Sequence, residues 1–217
     1  MKGLLVKDFR LMLGQKRFFI LFVLIAVMLN FNSNGSFVIG YMTFVCSVFV
    51  LSTISYDENE NGYPFLMTLP ALPKTFAREK YVFGFLFSSS AWIIAVVISL
   101  IFKTVNKSDF LLSDFFIEAA VFIPFYIVLL AVMLPFQFKF GGEKGRIAML
   151  MACGIAFFAV YFSVRGLQRM GIDVEKIIDS LSALQQGGLL LLAFVVSVAA
   201  LLVSSAISSR IMCRKEF

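Results

Sequence analysis

Histidine is absent from all 217 residues. That one absence removes the Ser-His and Cys-His nucleophiles, the HExxH zinc site and the histidine proton relay. The phosphate-cradling pattern GxxxxGK[ST] is missing too, so the chain carries no loop of the usual kind for binding and hydrolysing ATP. Cysteine is scarce: Cys46, Cys153 and Cys213 lie far apart, a spacing that builds neither a disulfide framework nor a metal cluster. Charge is also thin. Only 15% of residues are Asp, Glu, Lys or Arg, where a soluble globular domain has roughly 25%.

What fills the space is apolar. The chain is 60% hydrophobic and 16% aromatic, with a mean hydropathy of +0.94. Its length suits a single membrane unit with no separate soluble enzyme. The formal net charge of +6 does not point to nucleic acid, because Lys and Arg sit between long apolar runs in the manner of positive-inside anchors.

Charge-free or nearly charge-free runs cover Phe18 to Tyr56, Tyr81 to Phe102, Phe115 to Phe138 (broken by Glu118), Ile147 to Val164 and Gly187 to Ser209. The first, as one helix, would be about 58 Å long against a hydrocarbon core of about 30 Å. The turn formers Asn30, Asn32, Ser33, Asn34, Gly35 and Ser36 divide it. The expected fold is an all-α membrane protein with six transmembrane helices, at about 18–32, 36–56, 81–102, 115–138, 147–164 and 187–209. Fourteen Lys and Arg fall in the N-terminal segment, the second and fourth connections and the tail, against five in the other connections. This asymmetry places both termini in the cytoplasm. The opening "MKGLLVKDFRLMLGQKRFF" sets Lys7, Arg10, Gly14 and Arg17 on one helical stripe and Leu5, Phe9, Met12 and Leu13 on another, predicting an amphipathic interfacial helix over 2–16.

Between the second and third spans lies "SYDENENGYPFLMTLP", Ser55 to Pro70. Asn61-Gly62 is a turn dipeptide, Pro64 suits a first helical position, and Phe65 to Leu69 makes barely one apolar turn before Pro70 ends it. The plain alternative is a solvated hairpin loop. Yet so short a helix is unstable alone, and Phe65, Leu66 and Leu69 need a groove to cover them. Asp57, Glu58 and Glu60 would favour a basic rim around that groove.

The run "TISYDENENGYPFLMTLP", with "REKYVFG" opening the next span, closely resembles the corresponding loop of ABC-2 type transporter permeases of Gram-positive bacteria. The opening "MKGLLVKDFRLM" and the loop "PFQFKFGGEKGR", Pro135 to Arg146, are similar to other parts of that family. Within it, the small permeases that export phenol-soluble modulins and related amphipathic peptides look most alike. The resemblance implies a permease subunit of an ATP-driven exporter in the bacterial plasma membrane. It implies two copies of the chain forming a homodimeric path and two copies of a separate ABC ATPase that binds the ATP and Mg. It also implies a cytoplasmic coupling helix within Asn61 to Leu69, including Thr68. Asp57, Glu58 and Glu60 would lead into that helix, and Arg78, Glu79 and Lys80 would follow it. Lys139, Glu143, Lys144 and Arg146 form a candidate second cytoplasmic contact, with an ordinary positive-inside anchor as the alternative. An amphipathic peptide is the expected cargo; lipid or drug cargo is the alternative within the family.

Several other features have ordinary readings. Pro124 and Pro135 would kink the fourth span, and Glu118 near its outer end can reach headgroups. Ala193, Ser197, Ala200 and Ser204 share a face that suits close helix contact. The stretch Asp173 to Leu184 has the spacing of an outer amphipathic helix. A membrane-embedded enzyme or an ion-coupled secondary transporter would need convergent polar groups within the spans, and Glu118 is nearly alone there.

Overall fold

Long stretches of Leu, Phe, Ile, Val and Ala without a lipid-compatible alternative for their backbone groups fold as helices, since only internal hydrogen bonding satisfies a spanning backbone. In the computed structural model, the described residues are 2–32, 36–58, 73–105, 111–142 and 186–214, with isolated positions between 144 and 165. They form six helices: α1 (Lys2–Gly14), α2 (Lys16–Asn32), α3 (Ser36–Glu58), α4 (Pro73–Val105), α5 (Leu112–Phe140) and α6 (Gln186–Arg214). The expected coupling helix at 61–69, the outer helix at 173–184 and most of the span expected at 147–164 lie outside the described residues.

Four of the helices, α3 to α6, are long and apolar enough to cross a membrane, and α1 with α2 would make a fifth broken span, bent by 67°. At 33 residues, α4 is about 50 Å long, so it exceeds a hydrocarbon core of about 30 Å by several turns. α5 carries Pro124 and Pro135 within a continuous 29-residue helix.

Two apolar clusters hold the helices together. At the end where Lys and Arg gather, Phe49, Ile54, Phe76, Phe83, Leu130, Phe138 and Met212 are buried, and Leu4, Leu5 and Met12 of α1 pack against them. Toward the other end, Ala26, Val38, Ile39, Met42, Ala95, Phe115 and Ala119 form the second cluster. Close approach depends on Gly84: a Cβ there would stand 3.1 Å from a Leu130 methyl and 3.3 Å from Val50.

Buried polar side chains tie helices across this apolar packing. Ser47 of α3 and Ser88 of α4 lie 3.0 Å apart. The Tyr81 hydroxyl of α4 meets Ser204 at 2.6 Å and Ser208 at 2.7 Å on α6, while Ser204 also donates to the Ala131 carbonyl of α5. Trp92 Nε1 donates to the Ala119 carbonyl at 2.8 Å. Of the small residues expected to share a contact face on the last helix, Ser197 and Ser204 are buried, whereas Ala193 and Ala200 are exposed.

Candidate functional site: a charge node at the base of α3

Four consecutive residues at the C-terminal end of α3 each join a different neighbour. Successive helical side chains are spaced by about 100°, so a helix end enclosed on all sides can use every one of them. The Ser55 hydroxyl accepts from Gln137 Nε2 of α5 at 3.0 Å. The Tyr56 hydroxyl accepts from Gln15 Nε2, at the break between α1 and α2, at 2.8 Å. Asp57 turns inward to two lysines, and Glu58 reaches the backbone just beyond α5.

Asp57 is the centre of a four-charge network. One oxygen pairs with Lys7 of α1 and the other lies 2.7 Å from Lys80 Nζ of α4. Lys80 also contacts Asp8 of α1 at 2.5 Å and the Thr53 hydroxyl at 3.2 Å. Lys7 stands 3.3 Å from the second Asp8 oxygen. Lys80 and Asp8 are fully buried, Asp57 nearly so, and only Lys7 opens to the outside. Both lysines lie over the face of Phe76, at 5.9 and 5.4 Å from its ring centre. Burial on this scale is tolerated because each charge meets an opposite one and the ring quadrupole adds to the cation side. Glu79 is buried beside the network, its two carboxylate oxygens without a hydrogen-bond partner among the described residues.

Glu58 makes the second connection. Its carboxylate accepts from the Gly142 amide. Gly141 ends α5 in the left-handed region, at φ +81°, and its N–H donates to the Gln137 carbonyl at 2.9 Å. A side chain at Gly141 would be strained by that backbone and would also strike the Glu58 carboxylate. The glycines of "GGEKG" thus let the turn after α5 come close enough for α3 to hold it.

Of the residues expected to serve ATPase coupling, Asp57 and Lys80 come together, and Glu58 and Glu79 flank them. Arg78 is exposed and faces α6 instead of the network. Glu60, Asn61, Gly62, Phe65, Leu66, Thr68 and Leu69 lie outside the described residues, as do Glu143 and Arg146. Lys139 is exposed, stacked 5.2 Å from the Phe140 ring centre, and Lys144 is exposed.

The structure adds Lys7, Asp8, Ser55, Gln137 and the Gly141-Gly142 turn, which sequence reasoning left out. Asp8 had a local signal. It shares a stripe with Leu5 and Met12, at i+3 and i+4 spacing, and a carboxylate on an apolar stripe needs a buried partner. Lys80 has the same signature, on the stripe of Phe76, Phe83 and Phe87.

No group of His, Cys, Asp and Glu among the described residues is arranged to hold a metal ion. Apolar spanning helices, with their ionisable residues gathered toward the ends, define a multi-pass, all-α membrane protein. Over residues 3–213 the chain matches the ABC-2 family transporter proteins. It therefore belongs to the ABC-2 family of membrane transporter permeases. No curated protein and no solved structure matches it.

Proposed function

We propose that this chain is the permease subunit of an ATP-driven exporter, working as a homodimer with two copies of a separate ATPase that docks on the loop between α3 and α4. The observation that carries the reading is the node formed by residues 55–58. The two ends of that loop, at Asp57-Glu58 and Glu79-Lys80, are tied to each other, to α1 and to the turn after α5. A partner that shifts the loop would therefore move α1, α3, α4 and the end of α5 as one body, which is the rigid-body form of coupling. The short apolar turn at Phe65 to Leu69 would supply the docking surface, with Glu60, Asn61, Gly62 and Thr68 around it. Lys139, Glu143, Lys144 and Arg146 would lie beside it as a second contact.

The cargo in this reading is an amphipathic peptide. Exposed phenylalanines such as Phe44, Phe85, Phe116, Phe125 and Phe194 would supply aromatic apolar surface for such a cargo. Among the described residues, the acids and bases of α3 to α6 cluster near the helix ends: Asp57 and Glu58, Lys74 to Lys80 and Lys103, Asp114, Glu118 and Lys139, and Arg210 and Arg214. An ion-coupled carrier would place such groups near mid-membrane.

The test is co-purification of the full-length chain with candidate ABC ATPases, followed by ATP hydrolysis with added amphipathic peptides. Recruitment of an ATPase that Phe65→Asp and Leu69→Asp abolish, with peptide-stimulated hydrolysis in the unaltered complex, supports the reading. Recruitment unaffected by both substitutions would overturn it.

A further inference from the structure

A groove of about 650 Å³ opens between α4 and α6 on the side of α4 opposite the charge node. Tyr81, Val82, Phe85 and Leu86 line it from α4, Phe194, Leu202 and Ser205 from α6, and Arg78 stands at one end. Its volume falls within the range of about 300–1,000 Å³ typical of small-ligand sites. The Tyr81 hydroxyl is committed to Ser204 and Ser208, and the Ser205 hydroxyl donates to the Leu202 carbonyl at 3.0 Å. Arg78 makes no ion pair among the described residues, and no acid lines the groove. One cation with no ion-pair partner among the described residues thus heads an apolar slot.

The length of the slot identifies what fits. From Arg78 to Leu86 along α4 is about 12 Å, and from Ser205 to Phe194 along α6 is about 16 Å. Either value is close to half of a hydrocarbon core of about 30 Å, the depth of one leaflet. The headed end is also the end at which Lys74, Arg210 and Arg214 gather. An apolar channel one leaflet deep, with a guanidinium at the polar boundary, matches a phospholipid whose headgroup is anionic and whose chain lies along α4 and α6. Guanidinium is suited to this because its planar donors grip a phosphate in pairs.

We infer that the α4–α6 groove binds an anionic phospholipid of the leaflet at the basic end of the protein, with Arg78 on its phosphate. This does not depend on the docking of an ATPase, and Arg78 is then a headgroup ligand. Occupied, the groove would brace α6 against α4 along their membrane-facing side.

Native mass spectrometry of the full-length chain, released from bilayer discs containing equal phosphatidylglycerol and phosphatidylcholine, tests it. The unaltered chain should retain phosphatidylglycerol about fivefold over phosphatidylcholine, the bias expected from one cation near a membrane surface. Arg78→Gln should bring the ratio close to one, Arg78→Lys should keep part of the preference, and Leu202→Trp should reduce retention of both lipids by filling the slot. Lys74→Gln removes an exposed cation from the same helix that does not line the groove, and should leave the ratio unchanged. Equal retention by the unaltered chain would overturn the inference, as would an unchanged preference in Arg78→Gln or an equal loss in Lys74→Gln. Cross-linking of Leu202→Cys between two copies would also overturn it, by giving the groove to a second protomer. A normal thermal unfolding profile for Arg78→Gln separates lost binding from lost folding.

Discussion

Asp8 Oδ2 and Lys80 Nζ, 72 residues apart in the chain, lie 2.5 Å from each other with both side chains fully buried. The pair fastens the N-terminal helix to the start of α4, and Asp57 extends it to the end of α3. Taking such charges out of solvent is costly, so the pairing need not stabilise more than a well-packed apolar substitute would. What it does impose is an arrangement: once Lys80 is buried, a carboxylate must meet it, and only one placement of α1 supplies Asp8.

Breaking the pair from one side should therefore be worse than removing it from both. Lys80→Met leaves Asp8 and Asp57 buried with only the partly exposed Lys7 to meet them, and should destabilise by about 3–5 kcal/mol. Thermal unfolding of detergent-solubilised protein measures this. The triple change Asp8→Leu, Asp57→Leu and Lys80→Met should recover a large part of that loss. A triple variant less stable than Lys80→Met would mean that the network contributes net stability.

Asp57 offers a way to test docking and transmission separately. Asp57→Asn keeps the size of the side chain but weakens its hold on both Lys7 and Lys80. If the proposed docking on Phe65 to Leu69 holds, the variant should still recruit the ATPase, because that sequence is unchanged, yet should hydrolyse ATP with export reduced at least severalfold. Phe65→Asp should instead lose the ATPase itself. Export and hydrolysis measured side by side distinguish the two, and equal loss of recruitment in both variants would remove the distinction.

The architecture and the location of the node were legible to different degrees. Apolar runs identify spanning helices because lipid offers the backbone no partner, and the contrast between a charge-free stretch such as Tyr81 to Phe102 and its charged flanks is strong. The flanks of the acidic loop were likewise visible, in Asp57-Glu58 on one side and Glu79-Lys80 on the other. Which way those side chains turn was not visible. Acidic residues beside a loop read as exposed, whereas here Asp57 faces inward, because α1 folds back to bring Lys7 beside it. That return of α1 depends on the 67° bend between α1 and α2, a tertiary choice that local periodicity does not encode. The stripe positions of Asp8 and Lys80 were the available clue.

At the end of α5, Gly141→Ala should cost about 1–2 kcal/mol from its φ of +81° alone, and more because the new methyl meets the Glu58 carboxylate. Gly187→Ala, where nothing lies within 4 Å of the added carbon, is the matched control and should be neutral or slightly stabilising. A smaller penalty for Gly141→Ala in a Glu58→Ala background would show that the two positions are in contact; strictly additive effects would show that they are not.

Tyr81 tests the α4–α6 joint. Tyr81→Phe removes a hydroxyl that meets two serines, but Ser204 keeps its bond to the Ala131 carbonyl. Polar bonds between spanning helices average about 0.6 kcal/mol, so the loss should be on the order of 1 kcal/mol. ATPase recruitment should be unchanged, since the Tyr81 hydroxyl bonds Ser204 and Ser208 and no residue of the node. A loss of recruitment would tie α6 to the docking surface.

Glu118 provides the test against ion coupling. Its side chain is about half exposed and lies 4.0 Å from Lys103, which itself stands 4.7 Å from the Phe115 ring centre. A carboxylate in that position, near the end of α5, has solvent or headgroups to stabilise it and no need of a transported ion. Glu118→Gln should therefore leave both stability and ATP-dependent export close to those of the unaltered protein, at neutral and at mildly acidic pH alike. Export that fell sharply in Glu118→Gln, or that came to depend on an imposed proton gradient in the unaltered protein, would place this residue on an ion path. The energy source would then have to be sought in the membrane and not in a docked ATPase.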